Sequence, residues 1–176
     1  MVENGVIRLK FMVRALTRSD YDALYRLIQN TKSADLFHPQ TMTYTDFAKR
    51  FDQYLESQDD QWMIYVVLLD QNLIGKMELK IDMGNRLGQF DIVIDEAYWG
   101  KGLAQKALNV LFDYAFKTLG LNKLIAEVLA FNVRSINFIR KMGMQLEGIL
   151  REERLVNDEY VDIYRFGLLR KEFQEG

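Results

Sequence analysis

The chain contains no cysteine, one histidine and one proline in 176 residues. Without cysteine there are no disulfides, no thiolate nucleophile and no Cys-ligated zinc. A single histidine, His38, leaves no His-rich metal site and makes a serine–histidine triad a poor fit. Neither sign of charge dominates: 23 Lys and Arg against 25 Asp and Glu give a formal charge of −2. No broad positive field is therefore expected to draw nucleic acid. No apolar run approaches the length of a membrane span, and the charged, irregular N-terminus does not read as a signal peptide. Repeats, low-complexity tracts and Pro/Gly/Ser linkers are missing as well. The expectations are one domain over residues 1–176, no metal, no nucleic acid, no membrane, and a cytoplasmic setting.

What is present reads as alternating strands and helices. Val6 to Arg14 alternates enough to be a first strand. Ser19 and Asp20 are expected to cap a helix running to Asn30, with Leu24, Leu27 and Ile28 inward. A polar loop with His38 and Pro39 follows, then a helix from Thr45 to Leu55. Trp62–Leu69 and Leu73–Ile81 are β-rich runs joined by a hairpin-like turn at Asp70-Gln71-Asn72. Gly84-Asn85 turns the chain into a strand from Gln89 to Ile94. A long helix to Leu119 comes next, with Ala104, Ala107, Leu108, Leu111, Ala115 and Leu119 inward and Gly120 as its left-handed C-cap. Lys123–Leu129 is a nearly continuous apolar run, which suggests a strand buried on both faces. Asn132 caps a helix that Gly143 ends. Strands at Gln145–Val156 and Glu159–Leu169 pair across Asn157-Asp158. The order β-α-α-β-β-β-α-β-α-β-β predicts a mixed sheet with helical cover.

The segment Tyr98-Trp99-Gly100-Lys101-Gly102-Leu103-Ala104 leads into the long helix. A helix N-terminus offers unpaired N–H groups and a partial positive charge, so it is a ready anion site. Gly100 and Gly102 remove side chains that would hold an anion away, Ala104 keeps the first turn slim, and Lys101 adds a cation. A tight β–α turn needing glycine only for its dihedrals explains the same letters. The Walker loop requires Ser or Thr after its lysine, where Gly102 stands, and an upstream glycine where Asp95 stands. The dinucleotide fingerprint requires glycine at Gln105 and the first βαβ unit of a parallel sheet. Both fail.

A third phosphate loop fits. Trp99 to Ala104 resembles the Arg/Gln-x-x-Gly-x-Gly/Ala signature of the GNAT superfamily of N-acetyltransferases, matching at Gly102 and Ala104, with Trp99 in the Arg/Gln place. Downstream, Asn132-Val133-Arg134-Ser135 through Gly143-Met144 resembles that family's Asn-x-x-Ala/Ser segment, and one helix and one strand separate the two motifs as they do in the family. Glu147 to Glu153 and Asn157 to Asp162 look like the branch holding ribosomal-protein N-terminal acetyltransferases and spermidine acetyltransferases. The resemblance implies an α/β (α+β) fold with a mostly antiparallel central sheet of about seven strands and helices on both faces.

The same resemblance implies acetyl-coenzyme A as co-substrate, lying between two splayed central strands. Ile92, Val93 and Ile94 would hold the pantetheine arm through their backbone, like an added strand. Trp99, Gly100, Lys101, Gly102, Leu103 and Ala104 would hold the pyrophosphate, and Asn132 would contact the coenzyme as well as cap its helix. Ser135 matches a candidate proton donor to the departing thiolate. The tyrosine that many relatives use for that purpose is Ile139 here. An alkyl thiol with a pKa of ~8.5 also leaves tolerably without a proton donor. The acceptor amine, with a pKa of ~10 or ~8, must lose a proton before attack. Relatives often place a glutamate where this chain has Gln89, which cannot act as base. Glu153 is the first candidate, although a solvated strand charge explains it too. Glu127, in an apolar strand where burial would raise its pKa, is the second. His38 is a minor one.

The expected activity is acetyl transfer to a primary amine, either a protein N-terminus or a small amine such as a polyamine. Asp91, Asp95, Glu96 and the Glu152-Glu153 pair would favour a cationic acceptor. The alternative is a coenzyme A-binding regulatory or scaffold module without turnover. A homodimer is among the assemblies such a chain admits.

Overall fold

Apolar alternation and positive-φ turns together account for most of the sheet. The computed structural model describes residues 2–3, 6–7, 10–30, 42–57 and 60–173. Seven strands, β1 (Phe11–Ala15), β2 (Trp62–Leu69), β3 (Asn72–Asp82), β4 (Leu87–Ile94), β5 (Lys123–Leu129), β6 (Gln145–Val156) and β7 (Glu159–Leu169), lie in the order β1-β2-β3-β4-β5-β7-β6. Among the described residues four α-helices accompany them: α1 (Tyr21–Asn30), α2 (Tyr44–Ser57), α3 (Leu103–Asp113) and α4 (Val133–Lys141). β1–β2, β5–β7 and β6–β7 pair antiparallel, whereas β4 and β5 run parallel. This is the mixed sheet expected from the order of elements, and the mostly antiparallel one that the resemblance implies. Among the described residues no helix is long and apolar enough to cross a membrane.

The chain divides into two compact units. The first comprises Met1–Glu78 with Ile92–Ala107. Its core is formed by Leu24, Leu27 and Ile28 of α1, Phe47 and Phe51 of α2, and Ile64, Val66 and Leu68 of β2. Hairpin β2–β3 turns through Asp70 (φ 48) and Gln71 (φ 67), the pair of left-handed residues that a two-residue hairpin requires. Gly75 lets β3 and β4 approach closely. A Cβ there would stand 2.6 Å from the Val93 carbonyl oxygen and collide with the Ile94 side chain.

The second unit comprises Leu79–Asp91 with Leu108–Gly176. Phe90, Phe112, Phe116 and Phe173 form a chain of ring contacts at 5.2–6.5 Å. Ile136 and Ile139 bury the inner face of α4. Hairpin β6–β7 turns through Asn157 (φ 51) and Asp158 (φ 63). Within β6 the register shifts between Leu150 and Arg154, a bulge at which Glu152 takes φ 52 and its N–H donates to Asp162 Oδ1 at 2.9 Å.

Several boundaries and facings differ from those expected. The first strand of the main sheet is Phe11–Ala15, the stretch facing Tyr65–Leu69, while Val6–Ile7 pairs separately with Val2–Glu3. Thr17, not Ser19 or Asp20, caps the entry to α1, through a short 3₁₀ turn at Arg18–Asp20. Asp20 is enclosed and reaches back to Thr17 instead of capping forward. The long helix closes with a π turn at Tyr114–Thr118, in which the Leu119 N–H reaches the Tyr114 carbonyl at 3.0 Å before Gly120 (φ 67) ends it. Ala104 and Leu119, both expected inward, are only partly buried. The loop with His38 and Pro39 lies outside the described residues.

Candidate active site

The loop after β4 is braced by its own side chains. Asp95 Oδ1 accepts the Ala97 N–H at 2.9 Å and opens a 3₁₀ turn at Glu96–Tyr98. Lys101 Nζ donates to the Ala97 carbonyl at 3.0 Å and sits 5.0 Å from the centre of the Tyr98 ring. Gly100 (φ 74) and Gly102 (φ 72) are both left-handed, and a Cβ on either would meet nothing within 4 Å. The glycines therefore satisfy the dihedrals and also leave open space over the loop. The Lys106 N–H donates to the Gly102 carbonyl at 3.0 Å, the first bond of α3. The preceding N–H groups, of Leu103, Ala104 and Gln105, have no acceptor within the helix and form its donor end. Such an end, reached through a glycine bend, suits a phosphate-bearing ligand.

The adjoining end of β4 has a defined polarity. The Asp95 N–H donates to the Ile74 carbonyl of β3 at 2.8 Å. A trans peptide points its C=O opposite to its N–H, so the Ile94 carbonyl faces away from β3. That carbonyl accepts the Trp99 indole Nε1–H at 2.7 Å. The Val93 carbonyl faces Gly75 on β3. By strand alternation, the Ile92 N–H and C=O and the Ile94 N–H lie on the edge away from β3. The Val93 and Ile94 side chains are buried. The parallel ladder of β4 with β5 consists of Leu87↔Lys123, Gly88↔Leu124 and Gln89↔Ile125, and both strands run on past it.

In the second unit Asn132 Oδ1 accepts the Ser135 N–H at 3.1 Å and caps α4. Ser135 is partly exposed and Ile139 is buried. Flanking the cap, Phe131 and Val133 are exposed at 52% and 61%, an apolar pair that sequence patterning does not single out. Glu127 is not an isolated buried carboxylate. Its Oε1 accepts Arg165 Nε at 3.0 Å and the second guanidinium nitrogen at 2.6 Å, and its Oε2 accepts Gln89 Nε2 at 3.2 Å. The ion pair forms because the register sets Arg165 directly across from Glu127. Glu153 is exposed on the bulged stretch of β6.

A buried polar network in the first unit was not anticipated. Lys76 is fully buried, with its ammonium on the Glu78 carboxylate, which also accepts the Trp62 Nε1–H at 3.0 Å. Lys76 and Glu78 stand two apart on one strand, so their side chains share a face. Among the described residues no group of three or more His, Cys, Asp or Glu can hold a metal ion.

Comparison with known proteins follows the same lines. The family model described as "Acetyltransferase (GNAT) domain" matches residues 10–145. An N-acetyltransferase of Bacillus licheniformis, p20, is 33% identical over 123 residues, covering 69% of this chain and 68% of that protein. Spermidine N(1)-acetyltransferase of Escherichia coli K12 is 29% identical over 163 residues, 92% of this chain and 87% of that protein. The spermidine N-acetyltransferase of Vibrio cholerae in complex with CoA and spermine superposes with a TM-score of 0.84 at 28% identity, over 92% of this chain and 96% of that one. A dodecameric structure of the same enzyme superposes at 0.78 with 28% identity, over 92% and 94%.

Proposed function

Because the chain belongs to the GNAT family of acetyltransferases, we propose that it moves acetyl from acetyl-CoA to a polyamine by direct attack within a ternary complex. At the coarser level it is an acyltransferase that acetylates an amine with acetyl-CoA as co-substrate. The polyamine is favoured over a protein N-terminus by likeness to the E. coli spermidine enzyme and to the Vibrio enzyme crystallised with spermine. The observation that carries the reading is the loop. Two left-handed glycines with open space above them lead into the donor end of α3.

In this proposal Gly100, Lys101, Gly102, Leu103 and Ala104 hold the pyrophosphate, and Ile92 and Ile94 bind the pantetheine arm by backbone bonds, as one strand binds another. Asn132 contacts the coenzyme arm. A backbone N–H polarises the thioester carbonyl. The substrate ammonium first gives its proton to a carboxylate or its water, with Glu153 and Glu127 the candidates. The free amine then attacks the acetyl carbon. The C–N bond forms as the C–S bond breaks, and the second proton lost by the nitrogen passes through water and Ser135 to the departing thiolate. A single domain over 1–176, a cytoplasmic location and homo-oligomeric assembly belong to the same proposal.

The test is release of free thiol from acetyl-CoA with spermidine, spermine, an N-terminal peptide and an amino sugar as acceptors. The polyamines are expected to give the fastest turnover. Turnover with the peptide alone would move the acceptor to a protein N-terminus, and no thiol with any amine would end the catalytic reading.

A further inference from the structure

We infer that Trp99 is a positioning residue, whose indole closes the hydrogen-bonding edge of β4 and thereby sets where the coenzyme's pantetheine arm ends and its pyrophosphate begins. The inference rests on the proposed coenzyme site and assigns one side chain of it a role other than contact. The edge of β4 that faces away from β3 carries three groups in addition to the Ile94 carbonyl, and that carbonyl is occupied by the Trp99 indole at 2.7 Å. An extended ligand adding to this edge finds the Ile92 N–H, the Ile92 carbonyl and the Ile94 N–H, and then no further acceptor. Beyond that point the chain leads into the glycine loop and the donor end of α3.

The indole also fixes the distance between the two parts. Trp99 lies five residues after Ile94 and immediately before Gly100, so its side-chain bond folds the loop back onto the strand end. On the other side of β4, Gly75 holds Val93 and Ile94 close to β3. The strand end is thus set from both sides, by a missing side chain on one and by an indole on the other. Arg or Gln at this place, as in the family signature, has a longer and more flexible donor. Trp has one rigid donor and no acceptor, a geometry suited to a permanent internal bond.

The test compares two ligands. The phosphoadenosine diphosphate fragment of the coenzyme engages the loop alone, while acetyl-CoA engages both loop and strand. Trp99→Phe keeps an aromatic ring and removes the donor. It is expected to weaken acetyl-CoA binding about five- to tenfold and the fragment by less than about twofold. Equal weakening of both, or of neither, overturns the inference. Failure of the unmutated protein to bind either ligand instead overturns the coenzyme site itself. A measurement that needs no variant is exchange of the Trp99 indole N–H followed by NMR. It should be slow in the free protein and remain so with acetyl-CoA. Solvent-rate exchange, or protection that appears only on adding coenzyme, would assign the indole to direct contact and overturn the inference.

Discussion

Asp20 accepts hydrogen bonds from both Arg14 guanidinium nitrogens at 2.7 Å and from Thr17 through its N–H at 2.9 Å and its hydroxyl at 2.8 Å. Burial pushes its pKa up, but the bonds from Arg14 and Thr17 outweigh burial and hold it below the ordinary 3.8. A lowered folded pKa contributes stability that is complete above the unfolded value and lost as pH falls through the folded one. Asp20→Asn is therefore expected to cost about 1–3 kcal/mol at neutral pH and less in acid, as pH falls through the lowered pKa, which denaturant midpoints across pH will measure. A cost that stays constant into acid would contradict this. At the candidate base, Glu153→Gln should lower kcat more than acetyl-CoA affinity throughout the pH–rate profile. An unchanged profile would remove Glu153 and leave Glu127→Gln as the variant to measure. The Asn132 cap was legible because a cap is a local bond, three residues long. Arg165 was not, since it meets Glu127 only through the β5–β7 register.

Strands β5, β6 and β7 appear with the bounds that apolar patterning predicts, and so does β2. Patterning failed where hydrogen bonds change without a change of period. The π turn at Tyr114–Thr118 keeps its apolar residues inward while its bonding shifts by one residue. The β6 bulge falls in Arg151-Glu152-Glu153-Arg154, where every side chain is exposed and no alternation marks the register. Gly75 is another silent position, because its need for a small residue arises from β4 crossing beside it. Gly75→Ala places a methyl group 2.6 Å from the Val93 carbonyl oxygen. It should destabilise the fold by about 1–3 kcal/mol, read from the urea midpoint. An unchanged midpoint would mean that the two strands are not held at this distance.

At the scale of the whole molecule, what the chain lacks and what it shares point the same way. A chain without cysteine and with one histidine is suited to chemistry that runs on backbone donors and carboxylates, as acetyl transfer to an amine does. The order of elements and the family were legible because the two glycine- and asparagine-bearing motifs sit at the right elements. The acceptor was not, because binding a cationic amine requires only carboxylates, and these are spread over the surface. The proposed reaction depends on one role, that of the Gly100–Ala104 loop in holding the pyrophosphate of acetyl-CoA. It is tested most directly by calorimetric titration of acetyl-CoA into the unmutated protein and into Gly102→Glu, which adds a strained, anionic side chain at φ 72. Saturable one-to-one binding that weakens by about a hundredfold or more in the variant is the predicted result. Equal affinity in the two proteins, or no binding in the unmutated one, would contradict it.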